Sequence, residues 1–384
     1  MMINTSKVAL VYCDTFDEEK LEKAVEKGIQ LLGGLECFLK PDDRVLLKPN
    51  VLVGDAPEKA STTHPRVFKA VAKYIRKTCS SVSYGDSSAV GTCRGQMKRA
   101  GFLKIGNELG LSLADFDNGK IVAFPDSPFT KSFKLANGVL DSDALVSISK
   151  FKTHQLSRIT GAVKNQFGCI PGLLKTEYHL CIPDAYDFCK MLIALNLLIK
   201  PKLYIMDGII AMQGNGPRGG QPVPMNVLLF SDDPIALDAT AARMINLNPE
   251  HLPTSSPGEL WQLGTWRENQ IVLLGEPLQR FYNPDFDIPR KPVSSVTRTG
   301  RVSFVKNWIS PRPVILSENC TRCGMCINSC PVKPKAINWK DGNKSEPPEY
   351  DYKHCIRCFC CQEICPGRAI TVTTPWLGRI LLNR

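Results

Sequence analysis

Short apolar runs alternate with helix-like segments through the first 275 residues of the chain. The apolar runs, such as KVALVYC (7–13) and ALVSISK (144–150), are typical of β-strands that are buried on both sides. Between them, apolar residues recur at helical spacing, as at 65–77 and 184–200. Buried strands separated by helices predict an α/β fold, with a layered parallel or mixed sheet that carries helices on both faces.

Polar residues that follow the predicted strands are the first candidates for chemistry, because such sheets bind ligands beyond the carboxyl ends of their strands. Lys48 and Asn50 follow one strand, Asp86 follows a second, and Lys152 and His154 follow a third. Each alone could be a solvated loop or capping residue. Together we predict Lys48, Asp86, Lys152 and His154 as catalytic residues. Asp86 and His154 could move protons or bind a metal, whereas the lysines and Asn50 could hold a carboxylate or phosphate.

The segment THQLSRITGAVKNQFG adds a second group of polar candidates. His154, Arg158, Gly161 and Asn165 recur at i, i+4, i+7 and i+11, which predicts a helix with these residues on one face. A glycine in that face would let a ligand approach the backbone closely. Arg158, Asn165 and the neighbouring Lys164 are therefore candidate anion or substrate ligands. The alternative is an amphipathic helix whose polar face meets only water.

The stretch GNGPRG (214–219) matches the G-x-G-x-x-G pattern of dinucleotide-binding loops. That pattern requires a helix directly after the loop, whereas QPVPMNVLLF follows here, so we reject a nicotinamide dinucleotide site. Asn215 within the stretch remains a candidate pocket residue. Asp207 before it, and Asp233 and Asp238 after it, are candidate metal or hydrogen-bonding groups, although Asp233 could simply cap its helix.

The alternation of strands and helices is lost at 276–312, which is rich in proline and basic residues and predicts a linker or wrapping segment. The formal net charge of the chain is +11, and six basic residues without an intervening acid lie in this region: Arg290, Lys291, Arg298, Arg301, Lys306 and Arg312. They form either a solvated basic linker or a surface for an acidic partner. We expect no nucleic acid partner, because no nucleic-acid-binding signature accompanies them.

Nine of the 16 cysteines lie between 320 and 365, in two copies of the spacing C-x-x-C-x-x-C-x-x-x-C-P that are offset by 35 residues. In this spacing, three cysteines of one copy and the last cysteine of the other bind one cluster. We therefore predict two 4Fe-4S clusters. Zinc sites with paired C-x-x-C steps do not explain the third step or the duplication. The predicted ligand sets are Cys320, Cys323, Cys326 and Cys365 for one cluster, and Cys355, Cys358, Cys361 and Cys330 for the other.

The region from 313 to about 372 resembles bacterial two-cluster ferredoxins, because all eight ligand positions match. The resemblance implies a small α+β domain that carries single electrons. It departs from the compact form in a longer spacer between the two copies. Cys360 falls outside the spacing and is predicted to be a bystander thiol, the alternative being a redox-active thiol or a substitute ligand.

The preceding region resembles a family known as domain of unknown function 362, which is frequently fused to a ferredoxin module. The stretches that carry the resemblance are VLLKPNVL, THP, YGDSS, KFKTH, GAVKNQFG, DGIIAMQGNGP and DDPIALDATAARM. The resemblance implies an iron–sulfur protein without a defined reaction.

Three regions are therefore predicted: a substrate-binding domain at 1–275, a linker at 276–312 and a two-cluster domain at 313–384. The favoured function is a reductase, in which electrons pass from the clusters to a small-molecule substrate or cofactor at the strand ends. The alternatives are an electron carrier that docks to a redox partner protein, and a non-redox enzyme with structural or sensing clusters. Without an apolar run of about 20 residues, we expect no transmembrane span and a cytoplasmic location.

Overall fold

A computed structural model describes residues 5–88, 90–172, 174–293 and 307–382. The first region is built on strands with these bounds: β1 Ser6–Tyr12, β2 Val45–Pro49, β3 Val82–Tyr84, β4 Ser112–Leu113, β5 Gly119–Ala123, β6 Ser132–Ala136, β7 Ala144–His154, β8 Arg158–Ile159, β9 Leu203–Gln213, β10 Gln221–Ser231 and β11 Ile271–Gly275. Within the described residues, nine of them form one sheet, in which β8 pairs with β7 and the others follow the order β11-β1-β10-β9-β7-β2-β3-β4. β5 and β6 form a separate antiparallel hairpin.

The sheet is mixed, as the sequence predicted. β2, β3, β4, β7 and β9 run parallel to one another. β10 runs antiparallel to both β9 and β1, and β11 is parallel to β1. The carboxyl ends of β2, β3 and β7 therefore lie along the same edge of the sheet.

Helices cover both faces of the sheet. Their bounds are α1 Glu18–Leu31, α2 Pro65–Arg76, α3 Cys93–Arg99, α4 Phe102–Glu108, α5 Asn137–Leu140, α6 Gly161–Asn165, α7 Leu174–Cys181, α8 Ala185–Ile199, α9 Pro234–Met244 and α10 Ser255–Leu260. Successive residues of β1 alternate between two apolar layers, with Ala9 and Val11 in one and Val8 and Leu10 in the other. α1, α2 and α8 pack into the first layer and α9 into the second, so both faces of the strands are buried.

The chain after β11 packs against the second apolar layer rather than leaving the sheet at once. Phe281, Phe286 and Ile288 are buried there, and the ring of Phe286 stacks on Phe151 with centroids 5.8 Å apart. Up to residue 293, this part of the predicted linker therefore wraps around the first region. Of the predicted basic stretch, Arg298, Arg301 and Lys306 lie outside the described residues.

The cysteine-rich region forms a small α+β unit, which we call the cysteine module (residues 312–373). Its strands are β12 Arg312–Ile315, β13 Ile337–Asn338, β14 Glu349–Tyr350 and β15 Ile370–Thr373, and its helices span Met325–Asn328 and Cys360–Ile364. β12 pairs antiparallel with β15, and β13 with β14. A terminal helix, Trp376–Leu382, follows. In the part of the chain described, no helix has the length and apolar character needed to cross a membrane.

Candidate functional site

A buried ion pair lies at the carboxyl ends of β2 and β3. The Lys48 ammonium group, which is fully buried, donates to Asp86 Oδ1 over 2.7 Å and to Asn165 Oδ1 over 3.3 Å. The second oxygen of Asp86 accepts the backbone N–H of Val51. Asn50 joins the same network by donating to Asn165 Oδ1 over 3.2 Å. The structure thus brings together four candidates, Lys48, Asn50, Asp86 and Asn165, that the sequence places on three separate segments.

The predicted single helix through His154, Arg158, Gly161 and Asn165 is wrong. β7 continues to His154, turns, and pairs with the short antiparallel strand β8, and α6 begins only at Gly161. Strand pairing thus overrides the local 3.6-residue periodicity. Arg158 Nη2 donates to the backbone oxygen of Lys291 in the wrapping segment, so this candidate lies apart from the Lys48 network.

Three aspartates of the first region have structural hydrogen-bonding roles. Asp233 caps α9 by accepting the N–H groups of its first turn, as its position suggested. Asp238 accepts the N–H groups of Ala162 and Val163 and so caps α6 from a neighbouring helix. A Cβ at Gly161 would lie 2.2 Å from Asp238 Oδ1, so this close approach requires glycine. Asp207 pairs with Lys150 over 2.8 Å.

The glycine-rich loop 214–219 holds the cysteine module against the first region. Gln362 Nε2 donates to the oxygens of Asn215 and to the backbone oxygen of Gly216 over 2.8 to 3.1 Å. Asn215 in turn donates to the backbone oxygen of Ile370 over 3.1 Å. The candidate Asn215 is therefore a docking residue, and the loop that resembles a dinucleotide fingerprint binds protein.

Arg218, in the same loop, adds a buried ion pair to this junction. Its guanidinium group makes two hydrogen bonds to the carboxylate of Asp55, over 2.9 and 2.7 Å, and donates to the backbone oxygen of Ile364. The charge and hydrogen bonds of Arg218 hold the pKa of Asp55 below its usual value although burial acts in the opposite direction.

His154 also contacts the cysteine module, through Glu363. Its Nδ1 accepts the backbone N–H groups of Leu156 and Ser157, so Nε2 carries the proton and donates to Glu363 Oε1 over 2.8 Å. Burial, aided by the charge of Lys164, lowers the pKa of His154 to about 4. At neutral pH this histidine is therefore a neutral donor with a fixed tautomer, and it positions Glu363.

A pocket opens between the first region and the cysteine module, and we call it the junction pocket. Its cavity volume is about 70 Å³, and it is lined by residues of both parts: Asn50, Leu52, Val53, Asp86, Ser87, Lys164, Asn165, Phe167, Gly168, Lys175, Thr176, His179, Cys360, Glu363 and Ile364. The candidates Asn50, Asp86, Lys164 and Asn165 thus line one pocket. Lys48 and His154 stand behind its wall, in contact with Asp86 and Glu363.

Sequence reasoning missed three charged or titratable residues of this pocket, Lys175, His179 and Glu363. Lys175 and His179 lie on α7, which follows no strand, so the strand-end rule did not reach them. Glu363 lies inside the second cysteine run, where the spacing pattern predicted only metal ligands. It was detectable as the carboxylate between two predicted ligands, Cys361 and Cys365.

Two lysines at or near the pocket have unusual environments. Burial lowers the pKa of Lys175 to about 7, and its ammonium group donates to the backbone oxygen of Ser87 over 2.7 Å. Burial, aided by the charge of Lys164, likewise lowers the pKa of Lys152 to about 7, and Lys152 donates to the backbone oxygen of Ser61. Amines with such pKa values can exchange protons at neutral pH.

The eight cysteines of the two spacing motifs surround two cavities. The first cavity is lined by Cys320, Cys323, Cys326 and Cys365, and the second by Cys330, Cys355, Cys358 and Cys361. Three cysteines of one run and the last cysteine of the other thus face each cavity, which is the ligand set of a two-cluster ferredoxin. The remaining lining is largely apolar. These thiol sets fit a 4Fe-4S cluster at each cavity.

Cys360 stands apart from both sets. It is buried and lines the junction pocket, while its neighbours along the chain, Cys358 and Cys361, line the second cavity. In the described part of the chain, no group of three or more His, Cys, Asp or Glu side chains is arranged to hold a single metal ion.

Comparison with known proteins gives a relative for most of the chain. The chain is 34% identical over 253 residues to a thylakoid-associated protein of Synechocystis, covering 66% of this chain and 78% of the relative. One shorter match is to a component of an ion-translocating oxidoreductase complex of Serratia proteamaculans, 29% identical over 25% of this chain and 15% of that protein. Another is to the PorD protein of the pyruvate synthase of Methanocaldococcus jannaschii, 34% identical over 17% of this chain and 69% of that protein.

Two solved structures are similar to part of the chain. One is the lactate racemase apoprotein of Thermoanaerobacterium thermosaccharolyticum, with a TM-score of 0.43, 11% identity and coverage of 63% of this chain and 57% of that one. The other is a protein of Thermotoga maritima, with a TM-score of 0.35, 15% identity and coverage of 58% and 57%. The chain thus spans less than two thirds of either structure.

Family models match both parts of the chain. A 4Fe-4S dicluster domain matches residues 312–366, which contain all eight cysteines of the two motifs. The model described as a domain of unknown function (DUF362) matches residues 45–243, just over half of the chain, including the strand ends, α6 and α9. The chain therefore belongs to the DUF362 family and carries a ferredoxin-type 4Fe-4S domain at its C-terminal side.

Proposed function

We propose that this chain is a cytoplasmic reductase-type iron–sulfur protein, which delivers single electrons to a small compound bound in the junction pocket. In this proposal, Cys320, Cys323, Cys326 and Cys365 hold one 4Fe-4S cluster, and Cys330, Cys355, Cys358 and Cys361 hold the second. When bound, such clusters supply one-electron transfer over a wide range of potentials.

The observation that carries the proposal is the position of the helix Cys360–Ile364. Cys361 of this helix lines the second cavity, whereas Cys360, Glu363 and Ile364 line the junction pocket. Only the helix Cys360–Ile364 would therefore separate a compound in the pocket from the second set of thiols. Gln362, between them, anchors the helix to the glycine-rich loop and so fixes this spacing.

The other side of the cysteine module is suited to a redox partner protein. Cys323 of the first cavity is exposed. A partner could therefore approach the first set of thiols without displacing the first region. Relatives of the module are named as parts of an ion-translocating oxidoreductase complex and of pyruvate synthase, which supports exchange of electrons with another protein.

The pocket assignment can be tested by blocking the pocket. The anaerobically purified protein would first be analysed for iron and sulfide, then reduced with dithionite, freed of excess reductant and mixed with a cell extract. The extract is separated into a small-molecule fraction and a protein fraction, and reoxidation is followed by absorbance. Thr176→Trp would fill the pocket, and Thr78→Trp, at an exposed site in the first region, is the matched control.

We expect the small-molecule fraction to reoxidise the wild-type protein and the Thr78→Trp variant at equal rates, and the Thr176→Trp variant at least about tenfold more slowly. The protein fraction should reoxidise all three alike. Equal rates for both variants with the small-molecule fraction, or reoxidation only by the protein fraction, would contradict the reductase and favour an electron carrier.

A further inference from the structure

The charges that line the junction pocket are unequally paired. Asp86 is already held by Lys48 and by the backbone of Val51, and Glu363 is held by His154. Both carboxylates of the pocket thus have a partner behind its wall. The Lys48–Asp86 pair contributes no net charge, whereas Glu363 keeps its negative charge beside the neutral His154, so the ammonium groups of Lys164 and Lys175 outnumber the one uncompensated carboxylate.

The two lysines of the pocket have no such partners. In the described ranges, neither Lys164 nor Lys175 has a carboxylate within the 4.0 Å of a salt bridge. Lys175 is 8% exposed and donates to a backbone oxygen, and the Lys164 ammonium group lies 5.7 Å from the centroid of the Phe167 ring. Burial of the Lys175 ammonium group is costly unless an anion or hydrogen bonds compensate it. These groups would gain from an anion in the pocket.

Neutral polar groups complete the lining. Asn50 lines the pocket, and its Oδ1 is buried without a hydrogen-bond partner among the described residues. The side chains of Ser87 and Thr176 also line it. A ligand with an acidic group and a hydroxyl or amine donor would match the two lysines and the amide oxygen.

We propose that the junction pocket binds a small oxyanion, a compound with a carboxylate or phosphate group, through the ammonium groups of Lys164 and Lys175. The choice of pocket rests on the proposed function, but binding of the anion can be measured without electron transfer. Because Lys164 comes from α6 and Lys175 from α7, the two ammonium groups approach the ligand from separate elements. The two ammonium groups therefore recognise the negative charge of the ligand more than its shape.

Calorimetric titration of the oxidised, cluster-containing full chain tests this inference. The probes are succinate, inorganic phosphate and the neutral succinamide. Either Lys164→Met or Lys175→Met should weaken binding of the preferred anion by about tenfold or more, because each removes one charge-assisted interaction. Lys190→Met, which removes a partly exposed lysine outside the pocket, should leave the affinity unchanged. Lys164→Arg, which keeps the charge, should retain most of it.

Each outcome is informative. Succinate binding without phosphate binding identifies a carboxylate ligand, and the reverse identifies a phosphate. Failure of both anions, equal affinity for succinamide, or wild-type affinity in both Met variants would overturn the anion site. Lys164 is partly exposed, so its variant remains a test even if Lys175→Met perturbs folding. A different result would contradict only the proposed reductase: the wild-type protein binds the anion, but the Thr176→Trp variant is reoxidised at the wild-type rate.

Discussion

The two cysteine cavities have the same ligand spacing but different surroundings. The first cavity includes the exposed Cys323, and its other three cysteines are only partly buried. The second cavity includes the buried Cys355 and Cys361, and the hydroxyl group of Tyr350 donates to Cys361 Sγ over 3.2 Å. The duplicated sequence thus provides two equivalent ligand sets, and tertiary packing leaves the first set more exposed than the second.

This difference indicates how the two copies of a duplicated module become distinct from each other. The helix of the second run packs on the glycine-rich loop and lines the junction pocket, whereas Cys323 of the first run remains open to solvent. Two cysteine sets with the same spacing can therefore have different surroundings within one module.

Loss of a single ligand should separate the two cavities most clearly. Cys323→Ser and Cys361→Ser should each remove one cluster, which is about four of about eight iron atoms per chain. After reduction, Cys361→Ser should lose reoxidation by the small-molecule fraction, because the cavity next to the pocket is lost, whereas Cys323→Ser should retain it. Iron analysis and stopped-flow absorbance measure both effects. Faster reoxidation of Cys361→Ser than of Cys323→Ser by the small-molecule fraction would contradict the assigned direction of electron transfer.

Removing the ion pair of the junction should loosen only the inward-facing half of the module. Arg218→Met leaves Asp55 as a buried, unpaired carboxylate, which costs about 3–5 kcal/mol in the free energy of unfolding. Hydrogen exchange should accelerate in 360–364 and stay unchanged in 325–328. Arg280→Met removes an exposed pair with Glu276 and is the control, with an expected cost below about 0.5 kcal/mol. Equal acceleration in both helices would contradict a local junction.

The affinity of the pocket for a carboxylate should depend on pH through Lys175. Its pKa of about 7 means that the charged fraction falls as the pH rises through 7, so succinate should bind more weakly by up to about tenfold per pH unit above 7. The titratable groups that share its surroundings are Lys48, Asp86, Cys169, Lys164 and His179. Calorimetry from pH 6 to 8.5 measures this slope.

The variant Lys175→Met distinguishes this lysine from the other groups that line the pocket. The slope should disappear in that variant, and a slope that persists would assign the titration to another group. Succinate should also change the electron paramagnetic resonance signal of the second cluster, because the helix that carries Cys361 also lines the pocket.

The smallest expected effect concerns the hydrogen bond to Cys361. A hydrogen bond to a ligand sulfur stabilises the more negative, reduced state, so Tyr350→Phe should lower the potential of the second cluster by an amount on the order of tens of mV. A redox titration followed by electron paramagnetic resonance measures both clusters, and the first serves as the internal control. A shift of both potentials by the same amount would indicate a general change in the module.

The sequence predicted the layers of the fold because the signals are local. In β1, the period-two alternation of Val8, Ala9, Leu10 and Val11 between two apolar layers follows directly from strand geometry. The strand-end rule likewise placed Lys48 and Asp86 at one edge. The same local reasoning failed at Arg158, because pairing of His154 with Arg158 across a hairpin outweighed a helical periodicity that was present by chance.

The candidate site was predictable only in part, because three of its lining residues, Cys360, Glu363 and Ile364, come from the cysteine module. Glu363 and Cys360 reach the pocket through contacts that join residues more than 140 positions apart, such as those of Gln362 with Gly216. No periodicity within either segment encodes that contact. Lys175 was missed for a related reason, since only the folded chain places α7 beside the end of β3.

The divided wall of the junction pocket has a thermodynamic consequence. Lys164 and Lys175 belong to the first region and Glu363 to the cysteine module, so the complete pocket exists only while the two are docked. Any compound that prefers the complete pocket must stabilise the docked arrangement by the same free energy by which docking strengthens its binding. Occupancy of the pocket and closeness of the second cavity are then one coupled equilibrium, in which a bound compound helps to assemble the site that holds it.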